Sequence, residues 1–160
     1  MHFQRRVLHY SAFSQIRTFM DASNPSKDFD GWNQQKKLLN TDVEPLFFRE
    51  GEIWWAHLGV NVGYEIDGKS AGFARPVIVL RKYNKYSFLA LPLTTSPRSN
   101  PWKLPLGLVA GKPAFAVLSQ LRNIDSRRLY QKLAWLSPDI LAAVRTETFR
   151  ANSGMPTHKN

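Results

Sequence analysis

The sequence predicts a mainly β (α+β) fold, a small and closed or strongly curled sheet with one helix near each end. Short apolar runs, separated by turn residues, recur from Gly51 onward at the spacing of β strands. The runs are apolar on both faces, which suits a barrel better than an open sheet with one wet side. Capping residues at Ser26 and Ser137 predict one helix before the strands and one after them.

Composition limits the partners of the chain. Its 160 residues are enough for one domain with one hydrophobic core. The 22 Lys and Arg residues outnumber the 12 Asp and Glu residues, giving a net charge of +10, and most of the excess lies after residue 50. This charge balance favours a polyanionic partner, either nucleic acid or an acidic protein segment.

The sequence lacks several features whose absence excludes particular kinds of site or protein. There are no cysteines, which excludes disulfides, thiolate catalysis and cysteine-bound zinc. The four histidines show no metal-ligand spacing, so we predict no metal site. No apolar run reaches the roughly 18 residues of a membrane span, and the N-terminal segment lacks the apolar core of a secretory signal. We therefore expect a cytoplasmic protein that does not bind membranes.

Residues 1–45 are predicted to be an N-terminal extension that carries one helix at about residues 26–39. The apolar stripe predicted for this helix consists of Phe29, Trp32, Lys36 and Leu39. The favoured interpretation is that the stripe docks on the sheet. The alternative is that Trp32, Lys36 and Lys37 extend a nucleic-acid groove through stacking and charge.

The main domain is predicted at residues 46–150. Its five predicted strands are Glu52–Leu58, Pro76–Lys82, Ser87–Leu93, Ala114–Leu118 and Leu129–Trp135. A turn at Tyr83–Tyr86 connects the second strand to the third. Four prolines between Ser96 and Pro113 predict a loop, with room for only a short edge strand around Lys103–Leu106.

The last helix is predicted to begin after Ser137, whose hydroxyl caps it, with Pro138 at the first helical position. Its predicted core face consists of Ile140, Leu141 and Val144. Residues 151–160 are polar and are predicted to form a flexible tail.

The first predicted strand contains a tryptophan pair and a histidine. Alternation along a strand places Ile53, Trp55 and His57 on one face. One indole of the pair Trp54 and Trp55 is therefore expected in the core, and the other is expected to stack on bases or on a partner subunit. His57 is expected to be a packed or surface residue rather than a catalyst.

Two predicted strands bring polar side chains to one edge of the sheet. Arg75 precedes the second strand, while Thr94 and Thr95 follow the third. A guanidinium and a hydroxyl are both donors that suit phosphate oxygens. The alternatives are structural, because Arg75 could tie the preceding loop to a carboxylate such as Glu65, and Thr94 could be an ordinary strand residue.

Five segments occur in order between Gly51 and Phe149, namely GEIWWAHLG, VGYEIDG, ARPVIVL, ALPLT and SQLRNIDSRRL. In this order and spacing the chain resembles the MazF/PemK family of toxin endoribonucleases from bacterial type II toxin-antitoxin systems. The resemblance implies an SH3-like, CcdB-like barrel that forms a homodimer and cleaves single-stranded mRNA through its 2′-OH without a metal or cofactor. It also implies a cognate acidic antitoxin that covers the RNA groove.

The resemblance also implies roles for individual residues. Arg75 and Thr94 match catalytic positions of the family, with Arg75 acting mainly by electrostatic stabilisation and, by family analogy, as an acid. The implied substrate-binding residues are Thr95, Tyr64, Glu65, Ser119, Gln120 and Arg122. Two of them have structural alternatives, since Gln120 could brace the backbone and Arg122 could form a surface ion pair with Asp125.

Two positions depart from the family pattern. Ser119 stands before Gln120 where many members have a carboxylate, and Tyr64 stands where some members have a histidine. Both departures leave the acceptor of the 2′-OH proton unassigned. They favour an alternative in which the same barrel is a non-catalytic toxin, either resembling the CcdB type that binds DNA gyrase or only binding RNA.

Overall fold

The computed structural model describes residues 26–41, 44–98 and 100–154, and it confirms a mainly β architecture with a helix at each end. The predicted segment before residue 26 and residues 155–160 of the predicted tail lie outside the described residues. The helices are α1 (Phe29–Thr41) and α2 (Pro138–Asn152). The strands are β1 (Glu52–His57), β2 (Ala74–Lys82), β3 (Ser87–Thr94), β4 (Lys103–Val109), β5 (Lys112–Val117), β6 (Arg122–Asp125) and β7 (Leu129–Trp135).

The strands form one curled antiparallel sheet in the order β4-β5-β3-β2-β1-β7, with β6 also paired to β3. The curl is centred on β3, because its first half pairs with β6 and its last two residues pair with β5. Single 3₁₀ turns at Leu118–Gln120 and Ser126–Arg128 lead into and out of β6. The order places β2 and β3 in the middle of the sheet, where both faces are covered.

Burial on both faces of the central strands explains their continuous apolar sequences. Val77 and Val79 of β2 point into a core cluster that includes Phe48, whereas Ile78 and Leu80 point into the opposite cluster. The second cluster is closed by α2 through two of its side chains, Leu141 and Val144. Each fully buried side chain of this kind contributes about 1.5–3 kcal/mol, so the middle of the sheet is the most stable support for a site.

The first helix begins three residues later than predicted. Asp28, rather than Ser26, occupies the position before α1, and its Oδ1 accepts a hydrogen bond of 2.7 Å from the amide of Gly31. The predicted stripe is correct in part, since Trp32 is the buried residue of this helix and Leu39 is half-buried. Phe29 is half exposed and Lys36 is exposed, because α1 is held to the barrel by Trp32 and by contacts near its C-terminal end rather than by a continuous stripe.

The short edge strand predicted around Lys103–Leu106 is confirmed, but it is longer than expected: β4 spans Lys103–Val109 and forms a hairpin with β5, where a loop was predicted up to Pro113. Ala110 and Gly111, both with positive φ, make its turn. Pro105 is tolerated in this hairpin because β4 is an edge strand and the register shifts between Pro105 and Gly107.

Strand β6 was not predicted, because its sequence RNID has one apolar residue. The strand forms because it pairs with β3, which buries Ile124 opposite Phe88.

The second helix confirms the predicted cap. The Oγ of Ser137 accepts from the amide of Ile140 at 3.4 Å, and Pro138 is the first helical residue. Leu141 and Val144 are buried as predicted, but Ile140 is 42% exposed because it lies off the stripe that Thr148 continues. The helix extends to Asn152, so the predicted tail begins two residues later than expected.

Candidate active site

A cavity of about 430 Å³ opens where β2 begins and β3 ends. Antiparallel pairing of Val77 with Pro92 sets this arrangement, since it brings the start of one strand beside the end of the other. The cavity is lined by Trp55, Lys69, Ala74, Arg75, Pro76, Leu93, Thr94, Thr95, Val109, Ala110, Lys112, Pro113, Ala114 and Leu133. Arg75, Thr94 and Thr95, which were predicted as site residues from the sequence, therefore all line this cavity.

Arg75 is held rigidly at the floor of this cavity and is only 8% exposed. Its Nε donates to the main-chain oxygen of Asp67 at 2.7 Å, and its Nη1 donates to that of Leu93 at 3.0 Å. The remaining nitrogen, Nη2, makes no hydrogen bond to any residue within the described ranges. Burial lowers the pKa of the Arg75 guanidinium, and the nearby Asp67 carboxylate partly opposes that shift.

The hydroxyl of Thr94 lies on the same wall. Its Oγ1 accepts a hydrogen bond of 3.2 Å from the amide of Ser96. A hydroxyl that accepts in this way still has its own proton to donate. Thr95 is exposed and lines the same cavity. This part of the site therefore presents donors to whatever enters it.

Two of the predicted residues, Tyr64 and Glu65, lie on the loop between β1 and β2 (residues 58–73) and outside the cavity. The Tyr64 side chain is fully exposed, and Glu65 accepts from the amide of Val62 at 3.4 Å. Neither side chain lines the cavity. The structural alternative is correct in part, because Arg75 does tie this loop, but it bonds to the main-chain oxygen of Asp67 and not to Glu65.

Gln120 braces this loop from the side of the 3₁₀ turn. Its Oε1 accepts from the amide of Ile66 at 3.0 Å, and its Nε2 donates to the carbonyl of Tyr64 at 3.3 Å. These bonds match the backbone-bracing alternative that the sequence left open. Ser119 is exposed next to it and does not line the cavity.

Arg122 lies on β6, away from the cavity lining. Its predicted ion pair with Asp125 is wrong, because that carboxylate binds Arg127 instead, with Nε and Oδ1 2.9 Å apart. The charge of Arg122 acts on Arg128, whose pKa is lowered first by burial and then by this neighbouring cation. The two arginines form a second basic position on the barrel.

Comparison with known proteins assigns the chain to a family. A family model described as a PemK-like, MazF-like toxin of type II toxin-antitoxin system matches residues 49–148. The chain belongs to the PemK/MazF toxin family. MazF (Form-I) from Deinococcus radiodurans is 23% identical to it over 69% of this chain and 99% of that one, with a TM-score of 0.53. That likeness confirms the predicted fold.

Two further structures have lower scores. The toxin MazF-mt6 of Mycobacterium tuberculosis is 16% identical, over 66% of this chain and 99% of that chain, with a TM-score of 0.49. A MazE-MazF structure (Form-II) from Deinococcus radiodurans is 21% identical, over 69% of this chain and 99% of that chain, with a TM-score of 0.48. Helix α1 precedes the segment that matches the PemK/MazF family model.

Sequence reasoning missed several cavity residues of this PemK/MazF toxin. Lys69 and Lys112 add positive charge to the lining. Lys69 pairs with Ala74 across an isolated bridge, and Lys112 begins β5 directly after the hairpin turn. Recognition of the β4–β5 hairpin would have placed Lys112 in the site, because its turn residue Ala110 also lines the cavity.

One indole of the tryptophan pair lies in the core, as predicted, whereas stacking of the other on bases or on a partner subunit stays a prediction. Trp54 is buried, and its Nε1 donates to Glu52 at 2.9 Å. Trp55 lines the cavity and stacks on Tyr130 with ring centroids 6.5 Å apart. His57 is packed, with its Nδ1 2.6 Å from the carbonyl of Gly72, as the sequence suggested.

Metal-ligating side chains do not cluster over the part of the chain that the structure describes. No group of three His, Asp or Glu residues there is arranged to hold a metal ion. Within the same residues, neither helix is long and apolar enough to cross a membrane.

Proposed function

We propose that this PemK/MazF toxin is a metal-independent endoribonuclease that cleaves single-stranded mRNA. The observation that supports this proposal is the convergence of Arg75 and Thr94 on one cavity whose other charged lining residues are Lys69 and Lys112. Four donors with three positive charges suit a phosphodiester and the charge that develops on it during cleavage. The family assignment adds the expectation of a toxin that acts on RNA.

In the proposed reaction the 2′-oxygen attacks the adjacent phosphorus while the bond from phosphorus to the 5′-oxygen breaks. The products are a 2′,3′-cyclic phosphate and a 5′-hydroxyl. The free Nη2 of Arg75 and the hydroxyl of Thr94 would donate to the non-bridging oxygens. The lowered pKa of Arg75 also makes it a better donor of a proton to the leaving 5′-oxygen than an exposed arginine would be.

The proton of the 2′-OH needs an acceptor, and the described lining contains no carboxylate or imidazole. Tyr64 and Ser119, where the family often has such groups, lie outside that lining. We therefore assign most of the rate to charge stabilisation by Arg75 and Thr94, with solvent as the acceptor within one subunit. The other proposed contacts to RNA are Thr95 in the same cavity and, outside it, Tyr64, Glu65, Ser119, Gln120 and Arg122.

The proposed partners follow from charge and family. A chain with a net charge of +10 attracts RNA and also an acidic protein segment. We propose a cognate acidic antitoxin that competes with RNA for the cavity, a homodimer as the toxin form, and action in the cytoplasm.

The direct test is cleavage of single-stranded RNA by the purified full chain in EDTA. We expect discrete fragments with 5′-hydroxyl ends, detected by their labelling with a kinase without prior phosphatase treatment. Arg75→Ala should abolish the fragments. Arg81→Ala is the matched control, because Arg81 lies on the same strand with its side chain 65% exposed. Intact RNA in the presence of folded wild-type protein would refute the proposal.

The cavity without a proton acceptor favours a second candidate, a non-catalytic toxin on the same barrel. It would arrest growth by binding RNA or DNA gyrase. Expression of the chain in a bacterial host separates the two candidates. Growth arrest with intact transcripts and impaired supercoiling would support the gyrase-binding toxin, whereas cleaved transcripts would support the endoribonuclease.

A further inference from the structure

The segment that leads into α1 contacts the loop that holds Arg75. Lys27 extends its Nζ to Asp67, 2.8 Å from Oδ2, and donates to the carbonyl of Asn61 at 2.6 Å. The Lys27 side chain is 24% exposed and that of Asp67 is 29% exposed, so the ion pair is largely shielded from water. Lys27 lies outside the family match at residues 49–148.

The loop around this ion pair is closed by its own hydrogen bonds. Asp67 Oδ1 accepts from the amide of Asn61 at 2.6 Å, and Asn61 Nδ2 donates to the carbonyl of Ile66 at 2.9 Å. The next amide, that of Gly68, donates to the carbonyl of Gly59 at 2.7 Å. Lys27 therefore neutralises the carboxylate on which this closed turn is built.

Asp67 connects the turn to the candidate catalytic arginine. Its main-chain oxygen accepts from Arg75 Nε at 2.7 Å, and its carboxylate is the nearby negative charge that acts on the guanidinium. A shift of residue 67 would therefore move both the main-chain oxygen that accepts from Arg75 and the carboxylate near the guanidinium. Lys27 also occupies Asp67 Oδ2, which limits competition by this carboxylate for Arg75.

Helix α1 keeps Lys27 in place. Trp32, five residues later, is 6% exposed and packs against Phe73 with ring centroids 5.7 Å apart. The guanidinium of Arg128 lies 5.3 Å from the same indole. At the other end of the helix, Arg127 Nη1 donates to the carbonyl of Asn40 at 3.2 Å. The helix is thus attached to the barrel near both of its ends.

We propose that Lys27 is a positioning residue for Arg75, acting through Asp67, and that α1 serves to hold Lys27 against the loop. The catalytic part of this inference rests on the proposed endoribonuclease function. The structural part, that Lys27 orders Arg75, does not depend on it. The two parts can therefore be tested separately.

The first test measures hydrogen exchange at Arg75 Nε by ¹⁵N NMR of the full chain, with the signal identified by its loss in Arg75→Lys. We expect Lys27→Ala to speed this exchange at least about tenfold, and Lys27→Arg to restore slow exchange. Lys37→Ala is the control, because Lys37 is exposed on α1. Wild-type exchange in Lys27→Ala would overturn the proposal.

Loss of α1 packing could also speed exchange, so a second variant is needed. Asp67→Asn removes the ion pair from the loop side and leaves α1 unchanged, which indole fluorescence of Trp32 can verify. We expect it to speed exchange as Lys27→Ala does. If only Lys27→Ala has an effect, and α1 is detached in it, the positioning role is refuted.

The second test compares rates of RNA cleavage. Lys27→Ala should lower kcat roughly 10- to 100-fold with little change in KM, because misplacement of a catalytic group affects the transition state more than binding. Faster Nε exchange with an unchanged kcat would overturn the catalytic role. If the wild-type chain does not cleave RNA, the proposed function fails, and the exchange rates still decide whether Lys27 orders Arg75.

Discussion

The hydroxyl oxygen of Thr94 accepts from the amide of Ser96 and keeps its own proton to donate. Because Thr94 lines the cavity, that proton can be donated to a phosphate oxygen bound there. We expect Thr94→Val to lower kcat by roughly 10²-fold or more, the usual effect of removing one such donor. Thr94→Ser keeps the hydroxyl and should lose far less.

Steady-state cleavage of a fluorogenic RNA oligonucleotide measures both changes. Thr146→Val is a suitable control, because the Thr146 hydroxyl bonds to Ala142 on the exposed side of α2. Equal losses in the valine and serine variants of Thr94 would show that its shape, not its hydroxyl, matters.

Glu52 makes the stability of the barrel depend on pH. Burial alone would raise the pKa of its carboxyl, but hydrogen bonds from the Arg49 amide, the Trp54 indole and Lys132 outweigh burial and lower it below 4.5. A lowered folded-state pKa stabilises the fold above the unfolded-state value. That contribution is lost as the pH falls through the folded-state pKa.

We therefore expect the urea midpoint of the wild-type protein to fall below about pH 4.5, the ordinary pKa of a glutamate. Glu52→Gln should have a lower midpoint at pH 7 and a shallower dependence on pH in the acid range. Glu65→Gln, at an exposed side chain, should follow the wild-type curve. A Glu52→Gln curve parallel to that of the wild type would contradict the assignment.

At the scale of elements, the contact between α1 and the sheet depends on a glycine. Gly59 has a φ of +86°, and a Cβ there would lie 2.1 Å from the Trp32 indole. Gly59→Ala should therefore cost about 1–2 kcal/mol for the left-handed backbone and should also displace Trp32. Gly63 also has a positive φ, +55°, but no atom lies within 4 Å of its added Cβ.

Gly63→Ala is thus a matched control that shares the backbone strain without the clash. Urea unfolding and indole fluorescence should separate the two variants. We expect lower stability in both and a changed indole environment only in Gly59→Ala. The same fluorescence change in both variants would mean that loop strain, not contact, moves the indole.

Elements with strong local signals were predictable, whereas those that depend on pairing with another strand were predicted in part or missed. The apolar sequences of β1, β2 and β3 and the cap at Ser137 gave boundaries within one or two residues. Strand β4 was predicted only as a short edge strand around Lys103–Leu106, because Pro105 and Gly107 locally disfavour a strand, and its full length depends on pairing with β5. Strand β6 is stabilised mainly by β3. The energy of such pairing depends on the partner strand and cannot be read from the sequence of one strand alone.

The candidate site was partly predictable for the same reason. Arg75 lies at the start of β2 and Thr94 at the end of β3, two strands that the sequence identifies. Antiparallel pairing of these strands therefore brings the two residues together. Lys69 and Lys112 lie on turns whose position depends on the tertiary fold. The role of Asp67 also depends on fold, because its main-chain oxygen is what binds Arg75.

On the scale of the whole molecule, the net charge of +10 should make RNA binding salt-dependent. For a single strand, each phosphate that the protein no longer neutralises reduces the slope of log K against log salt by about 0.7. We therefore expect Lys69→Ala/Lys112→Ala to reduce the slope by about 1.4. Fluorescence anisotropy with a labelled, non-cleavable oligonucleotide measures it.

The control for this prediction is Lys36→Ala/Lys37→Ala, which removes the same charge from the exposed side of α1. If RNA is bound at the cavity, the control should leave the slope within error of the wild type. A slope reduced equally in both double variants would favour the other interpretation, in which α1 extends the RNA groove.

Arg75 is anchored by carbonyl groups, which every type of residue possesses. The Leu93 side chain can therefore change without releasing it, whereas at position 67 the carboxylate is also needed to hold the backbone on its path. That path depends on Gly68, where a Cβ would meet the carbonyl oxygen of Phe73 at 1.7 Å. The carbonyl anchor of Arg75 is therefore a property of the backbone path, and a comparison of side chains alone would not reveal it.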